Sequence, residues 1–231
     1  MTPTLCRPPL RATLRVALAA GAFACNGATP ASPAASPRSA ASPVESSRPD
    51  LSFPRIVGVV HVSTTEKAPT TGGVVFLEDA LKEPGVATSA AINVDHKQFS
   101  PFISVITTGG TATFGNKDAL THHVFSPDVQ SWDTGYLKQN ETAARTFDAA
   151  GPVSLLCNIH PEMLGYLLVI PSTYFATLGP SGEYAITNLP PGTYRVTAWS
   201  PRLPTATQSV TVGSTGIATA NFTLRPAGAT N

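Results

Sequence analysis

Seven consecutive residues, Cys157-Asn158-Ile159-His160-Pro161-Glu162-Met163, hold a thiol, an imidazole and a thioether at C-x2-H-x2-M spacing. Thiolate and thioether are soft ligands that select soft metals, and imidazole suits copper. One Cys, two His and a weak axial Met make up the copper sites that pass electrons. This stretch supplies three of those four ligands, so a second His must come from elsewhere in the chain. The company is unusual. The chain has three Cys and two Met, yet Cys157 is the only Cys beyond Cys25 and Met163 the only Met beyond Met1.

Two other readings use the same residues. Cys157 and Met163 could be packing groups at a strand end, because a lone Cys commonly behaves as a small hydrophobe. A Cys–His nucleophile would need a positioned base, an orienting group and an oxyanion site. No carboxylate near Cys157 in sequence has a convincing spacing for that work, so we expect no enzyme.

The 231 residues allow one or two domains. Residues 1–24 read as a cleaved export signal. Arg7, Arg11 and Arg15 are followed by a short apolar run and by Ala22-Phe23-Ala24, an A-x-A cleavage pattern. Cys25 directly after that site invites a lipid-anchor reading beside the plain-signal one. Residues 25–53, rich in Ala, Ser and Pro, read as a disordered linker. We therefore expect an exported protein of the periplasm or cell envelope, held to a membrane only through Cys25 if at all. The charges nearly balance, 15 basic against 14 acidic. No basic run points to nucleic acid. An unpaired thiol in an exported protein calls for an explanation, and metal ligation provides one.

From Arg55 onward the texture is short β-type runs between turns, at 55–62, 73–78, 87–94, 102–107, 111–115, 122–125, 143–147, 153–157 and 164–170. That pattern predicts an all-β sandwich or barrel, with at most one helical turn at 136–142. After Pro171-Ser172 the same grammar repeats at 174–178, 182–189, 193–199, 208–212 and 217–224. The expected division is a first sandwich over 54–171 and a second, smaller one over 172–231. The second contains no Cys, Met or His, so it is expected to be dispensable for a metal.

The second His is sought in Asn116-Lys117-Asp118-Ala119-Leu120-Thr121-His122-His123-Val124-Phe125. His61 and His96 lack partner residues nearby. On a strand, His122 and His123 face opposite ways, and Val124 and Phe125 are both apolar, so periodicity does not choose between them.

At this point the residues resemble a known family. Asn116-x-Asp118-x-x-x-His122, followed by Cys157-x-x-His160-x-x-Met163, is similar to the plastocyanin, pseudoazurin and amicyanin group of cupredoxins. The short loop with Pro161 after His160 is most like amicyanin. The resemblance implies a Greek-key β-sandwich carrying one type 1 copper on His122, Cys157, His160 and Met163. It also implies a one-electron carrier that meets redox protein partners briefly, expected to be a monomer. The family usually has Asn after the first ligand His, bracing the two ligand loops, and this chain has His123. Residues 172–231 resemble the carboxypeptidase regulatory-like β-sandwich through Gly182-Glu183-Tyr184-x-Ile186-x-x-Leu189-Pro190-Pro191-Gly192-Thr193-Tyr194. That implies a non-catalytic spacer or contact domain. Around His160, Pro161 and Leu164 are expected to form an apolar rim, with Glu162 adding a charge. Two rival roles remain: copper storage or delivery with the same ligands, and a structural cell-surface sandwich with an inert Cys.

Overall fold

The computed structural model describes residues 53–62, 72–79, 87–128 and 131–227. The expected export signal, Cys25 and all of the expected linker except Phe53 lie outside them. Every regular element among the described residues is a strand. The first are β1 (Arg55–Val62) and β2 (Val74–Leu77). Nine follow: β3 (Ser89–Asp95), β4 (Gln98–Ser100), β5 (Ile103–Thr107), β6 (Gly110–Asn116), β7 (Val124–Ser126), β8 (Trp132–Asp133), β9 (Thr142–Phe147), β10 (Gly151–Cys157) and β11 (Leu164–Ile170). The last six are β12 (Phe175–Thr177), β13 (Glu183–Thr187), β14 (Gly192–Trp199), β15 (Ala206–Val212), β16 (Ile217–Thr219) and β17 (Phe222–Leu224). No helical turn forms at 136–142. Leu137 instead pairs with His122 in an isolated bridge, and Lys138 to Glu141 forms a turn.

The strands form four sheets. Two make the sandwich that holds the expected ligands, the metal-site sandwich for short, with orders β5-β11-β10-β7-β8 and β4-β3-β6-β9. The chain crosses between these sheets repeatedly, and their inner faces share one core that includes Ile92, Phe114, Val124, Leu155, Cys157, Met163 and Leu167. The other two make a second sandwich, β12-β2-β14-β15 over β13-β1-β16 with β17 on β1.

The pairings move the expected domain boundary. Residues 54–171 do not form one sandwich. β1 pairs with β13, β16 and β17, and β2 pairs with β12 and β14. The second sandwich is therefore assembled from both sides of the first in sequence, and the metal-site sandwich is inserted between β2 and β12. The cause is plain in the side chains. Ile56 and Val60 of β1, and Val75 and Leu77 of β2, fill the same core as Tyr184, Val196 and Phe222. Gly58 is needed on β1, because a Cβ there would sit 1.7 Å from the carbonyl oxygen of Ala220.

A third apolar cluster joins the two sandwiches. Val74, Tyr166, Leu168, Ile170 and Trp199 are buried in it, with Phe76, Ile103, Val105, Leu164 and Phe175 packed against them. Strand β11 thus has no solvent face. Gly165, Leu167 and Val169 look into the metal-site core, and the alternate residues look into the seam. This accounts for its unbroken apolar run, since strands covered on both faces lose the apolar–polar alternation. Burial of five large side chains stabilises the seam by roughly 10 kcal/mol as an upper figure. Interfaces between domains are mobile by default only when small or polar, and this one is apolar.

A chain ended after Ser172 should consequently fail. It keeps β1 and β2 but loses every strand they pair with, and it bares the seam face of β11. We expect loss of a cooperative thermal transition and strong binding of an apolar dye. A fragment that stays monomeric, unfolds cooperatively and ignores the dye would show that the second sandwich is dispensable.

Candidate metal centre

Four short-range constraints bring the candidate ligands together. β10 ends at Cys157, and its register sets Cys157 against Val124 and Leu156 against Phe125. The ladder then runs one step further, with the N–H of Asn158 donating to the carbonyl of His123 at 3.1 Å. His122 is locked to Leu137 by backbone bonds of 3.0 and 2.7 Å. His160 sits on the turn after β10, and its carbonyl accepts the N–H of Met163 at 3.0 Å.

The result is a triangle of donor atoms. Cys157 Sγ lies 3.7 Å from His122 Nδ1 and 3.8 Å from His160 Nδ1, and the two ring nitrogens are 3.1 Å apart. His122 is fully buried, Cys157 nearly so, and His160 half-buried. The point equidistant from the three atoms is about 2.1 Å from each, inside the ~2.0–2.3 Å at which imidazole and thiolate hold a metal ion. The donor set and its spacing therefore fit copper. Met163 is 2 % exposed and belongs to the core cluster that includes Cys157.

The arrangement also settles which His turns inward. Val124 and His122 share the inner side, and both are fully buried. His123 points the other way. Its Nδ1 is 3.4 Å from the amide nitrogen of Asn158, its Nε2 is 3.4 Å from Asp133, and its ring lies 5.2 Å from that of Tyr136. It occupies the position of the bracing Asn, but there the Asn158 amide is the donor and the imidazole the acceptor. Neither His61 nor His96 joins the cluster.

Asp118 stands in the motif quoted from the sequence, but its place beside His122 was not read there. Its Oδ2 accepts the Nε2–H of His122 at 3.0 Å. Its two oxygens also accept the N–H groups of His96 and Lys97, at 2.6 and 2.9 Å. Both of those residues have left-handed backbones, with φ of 52° and 54°, a tight-turn conformation that costs non-glycine residues energy. A carboxylate on one ring nitrogen fixes the tautomer and leaves the lone pair of the other facing the site. Burial lowers the pKa of His122 against the opposing pull of Asp118, so the ring is neutral and ready to ligate near neutrality. For Asp118, burial raises the pKa, but the N–H bonds from Lys97 and His96 and the ring of His122 outweigh it and hold the carboxyl below its ordinary value. Asn116 completes the support. Its amide donates to the carbonyls of Leu120 and Leu137 at 2.7 and 2.9 Å, and its oxygen accepts the N–H of Asp118 at 2.9 Å. The spacing from Asn116 to His122 is thus a hydrogen-bonded loop.

Asp118, His122 and Cys157 also form the carboxylate–imidazole–thiol line of a nucleophile, with the orienting carboxylate that the sequence had not revealed. Cys157 is only 4 % exposed, inside a shared core, which sets it apart from an open nucleophile.

Residues 168–225 match the carboxypeptidase regulatory-like domain family. No curated protein matches the chain. Among solved structures, a copper-containing nitrite reductase from Thermus scotoductus is 27% identical over 35% of this chain and 22% of its own, with a TM-score of 0.33. A purple cupredoxin from Nitrosopumilus maritimus is 25% identical over 35% of this chain and 98% of its own, with a TM-score of 0.33. A reduced amicyanin variant is 21% identical over 35% and 81%, again at 0.33. The chain thus spans about a fifth of the nitrite reductase. At such TM-scores the metal assignment rests on the side chains and not on the superpositions.

Two outcomes follow. Asp118→Asn should weaken metal binding roughly 10- to 100-fold in chelator competition, because the ring of His122 loses its fixed tautomer; unchanged affinity would remove Asp118 from the site. The metal-free protein should lose stability as pH falls through 6.5, the ordinary value for His. The unfolded chain takes up a proton there that buried His122 resists, so stability rises with pH across that window. Denaturant titrations between about pH 8 and pH 5 should show a shallower slope for His122→Gln, and an equal slope would assign the effect elsewhere.

Proposed function

We propose that this chain is an exported protein that carries single electrons between redox partners through one type 1 copper that His122, Cys157, His160 and Met163 would hold, and that it is not an enzyme. The observation that carries the reading is the convergence of His122 Nδ1, His160 Nδ1 and Cys157 Sγ in a largely buried pocket. When bound by one thiolate, two imidazoles and a thioether, copper cycles between Cu(I) and Cu(II).

The residues of the chain do the rest. The β7–β10 ladder fixes Cys157, the bridge to Leu137 fixes His122, and Asp118 holds the ring of His122, so a copper ion would meet ligands already positioned. Burial in the core excludes water from the sulfur. His160, only half-buried, offers a route to the surface. Exposed apolar side chains lie on the ligand-bearing loops: Leu120 before His122, Tyr136 over His123 and Ile159 before His160. Pro161 is exposed as expected, but Leu164 turns into the seam between the sandwiches. A rim of this kind suits a brief contact of small area. The partners, the monomeric state and a place in the periplasm or envelope belong to the same proposal.

Loading with one equivalent of Cu(II) should give an intense thiolate-to-copper visible band and a narrow parallel hyperfine splitting in electron spin resonance. Cys157→Ser should abolish both while the circular dichroism of the fold persists. A colourless, tightly bound copper would support storage or delivery instead, and no binding would leave Cys157 as a packing residue.

A further inference from the structure

The metal-site loop returns to the fold through β11, and β11 is the strand with two covered faces. Its even-numbered residues, Leu164, Tyr166, Leu168 and Ile170, all belong to the seam with the second sandwich. The ring of Tyr166 meets that of Trp199, at the end of β14, edge-on at 6.0 Å, and meets Phe102 at 5.6 Å. Its odd-numbered face carries Leu167 and Val169 into the core that holds Cys157 and Met163. Gly165 lets Phe99 close on the strand, since a Cβ there would stand 2.8 Å from the Cβ of Phe99. The strand cannot shift on one face without disturbing the other.

We propose that the second sandwich is a positioning platform for the metal centre, acting through the Trp199–Tyr166 contact on β11 and so on the loop 158–163. The module then serves as more than a spacer. It supplies the outer half of the clamp on the strand that anchors Met163 and, through the ladder from Leu156 to Leu164, on the end of β10 beside Cys157. Trp199 is a positioning residue, since it touches no candidate ligand. The consequence for copper rests on the reading of the metal centre given above; the clamp on β11 does not.

The test separates the two. In the metal-free full chain, amide hydrogen exchange is read for 164–170 and for Cys157. Trp199→Leu should speed exchange at those amides roughly tenfold, as loss of local packing lowers the cost of opening a cooperative unit. Trp199→Phe should restore them. Phe222→Leu cuts the other core of the same sandwich; it should speed exchange in β1 and β17 and leave β11 alone. If Trp199→Leu does not fold, Tyr166→Leu removes the same contact from the opposite side and is read in its place. Wild-type exchange at 164–170 in the cut variants, or equal acceleration by Phe222→Leu, would overturn the clamp. In the copper-loaded protein, Trp199→Leu should also release copper several-fold faster to a chelator and broaden the hyperfine pattern, with Trp199→Phe reversing both. Accelerated exchange at 164–170 without any copper binding would leave the clamp standing and sink only the copper reading.

Discussion

The sulfur of Cys157 and the Nδ1 atoms of His122 and His160 meet in one largely buried pocket, and much of the sandwich around them serves to hold them there. Buried polar groups are costly unless partnered. Here His122 Nε2 is satisfied by Asp118, while Nδ1, together with the sulfur of Cys157 and the Nδ1 of His160, faces only the other donors. Holding such groups this close draws on the surrounding fold. The draw is spread over the β7–β10 ladder, the bridge from His122 to Leu137 and the loop tied by Asn116. The first two are backbone pairings and the third is a side-chain amide bonded to two backbone carbonyls.

Asp118 connects this pocket to the rest of the molecule. One carboxylate holds a ligand ring and also the N–H groups of two residues in left-handed conformation. The hairpin turn between β3 and β4 is thereby coupled to the orientation of His122. A change at the surface turn and a change at the ligand pass through the same two oxygen atoms.

Some of this was legible in the sequence and some was not, for physical reasons. The cluster from Cys157 to Met163 could be read because thiols and thioethers are scarce here and have few other uses in company. His122 could be preferred to His123 only through the resembled motif, which places a ligand at that distance from Asn116, because period-two alternation between Val124 and Phe125 gave no preference. Asp118 could not be read as a support, since a carboxylate in a polar loop looks like any solvated charge until the backbone folds it onto a ring. The strand texture of 55–62 and 73–78 was clear, but their partners were not. Alternation tells which side chains share a face, and says nothing about which strand lies alongside. Sequence proximity therefore assigned β1 and β2 to the wrong sandwich. The two-residue β8 and three-residue β4 were too short to leave a pattern at all.

One signal for the nesting was present in plain sight. Leu164-Gly165-Tyr166-Leu167-Leu168-Val169-Ile170 and Val74-Val75-Phe76-Leu77 lack the alternation of a half-exposed strand. A strand of an antiparallel sandwich has one face in water unless something covers it. Two such runs, one from each sandwich, imply that each covers the other, and the seam they share with Trp199 is the observed solution. Because the chain enters the first sandwich after β2 and leaves it before β12, both connections run from the sheet that forms the seam. Insertion at that sheet, rather than appending at a free end, gives the sandwich with the candidate ligands two covalent ties and one apolar face on the same side. Separation of the sandwiches would require opening that face to water with both ties still in place, so the two stay in register and the metal loop inherits a fixed reference on its far side.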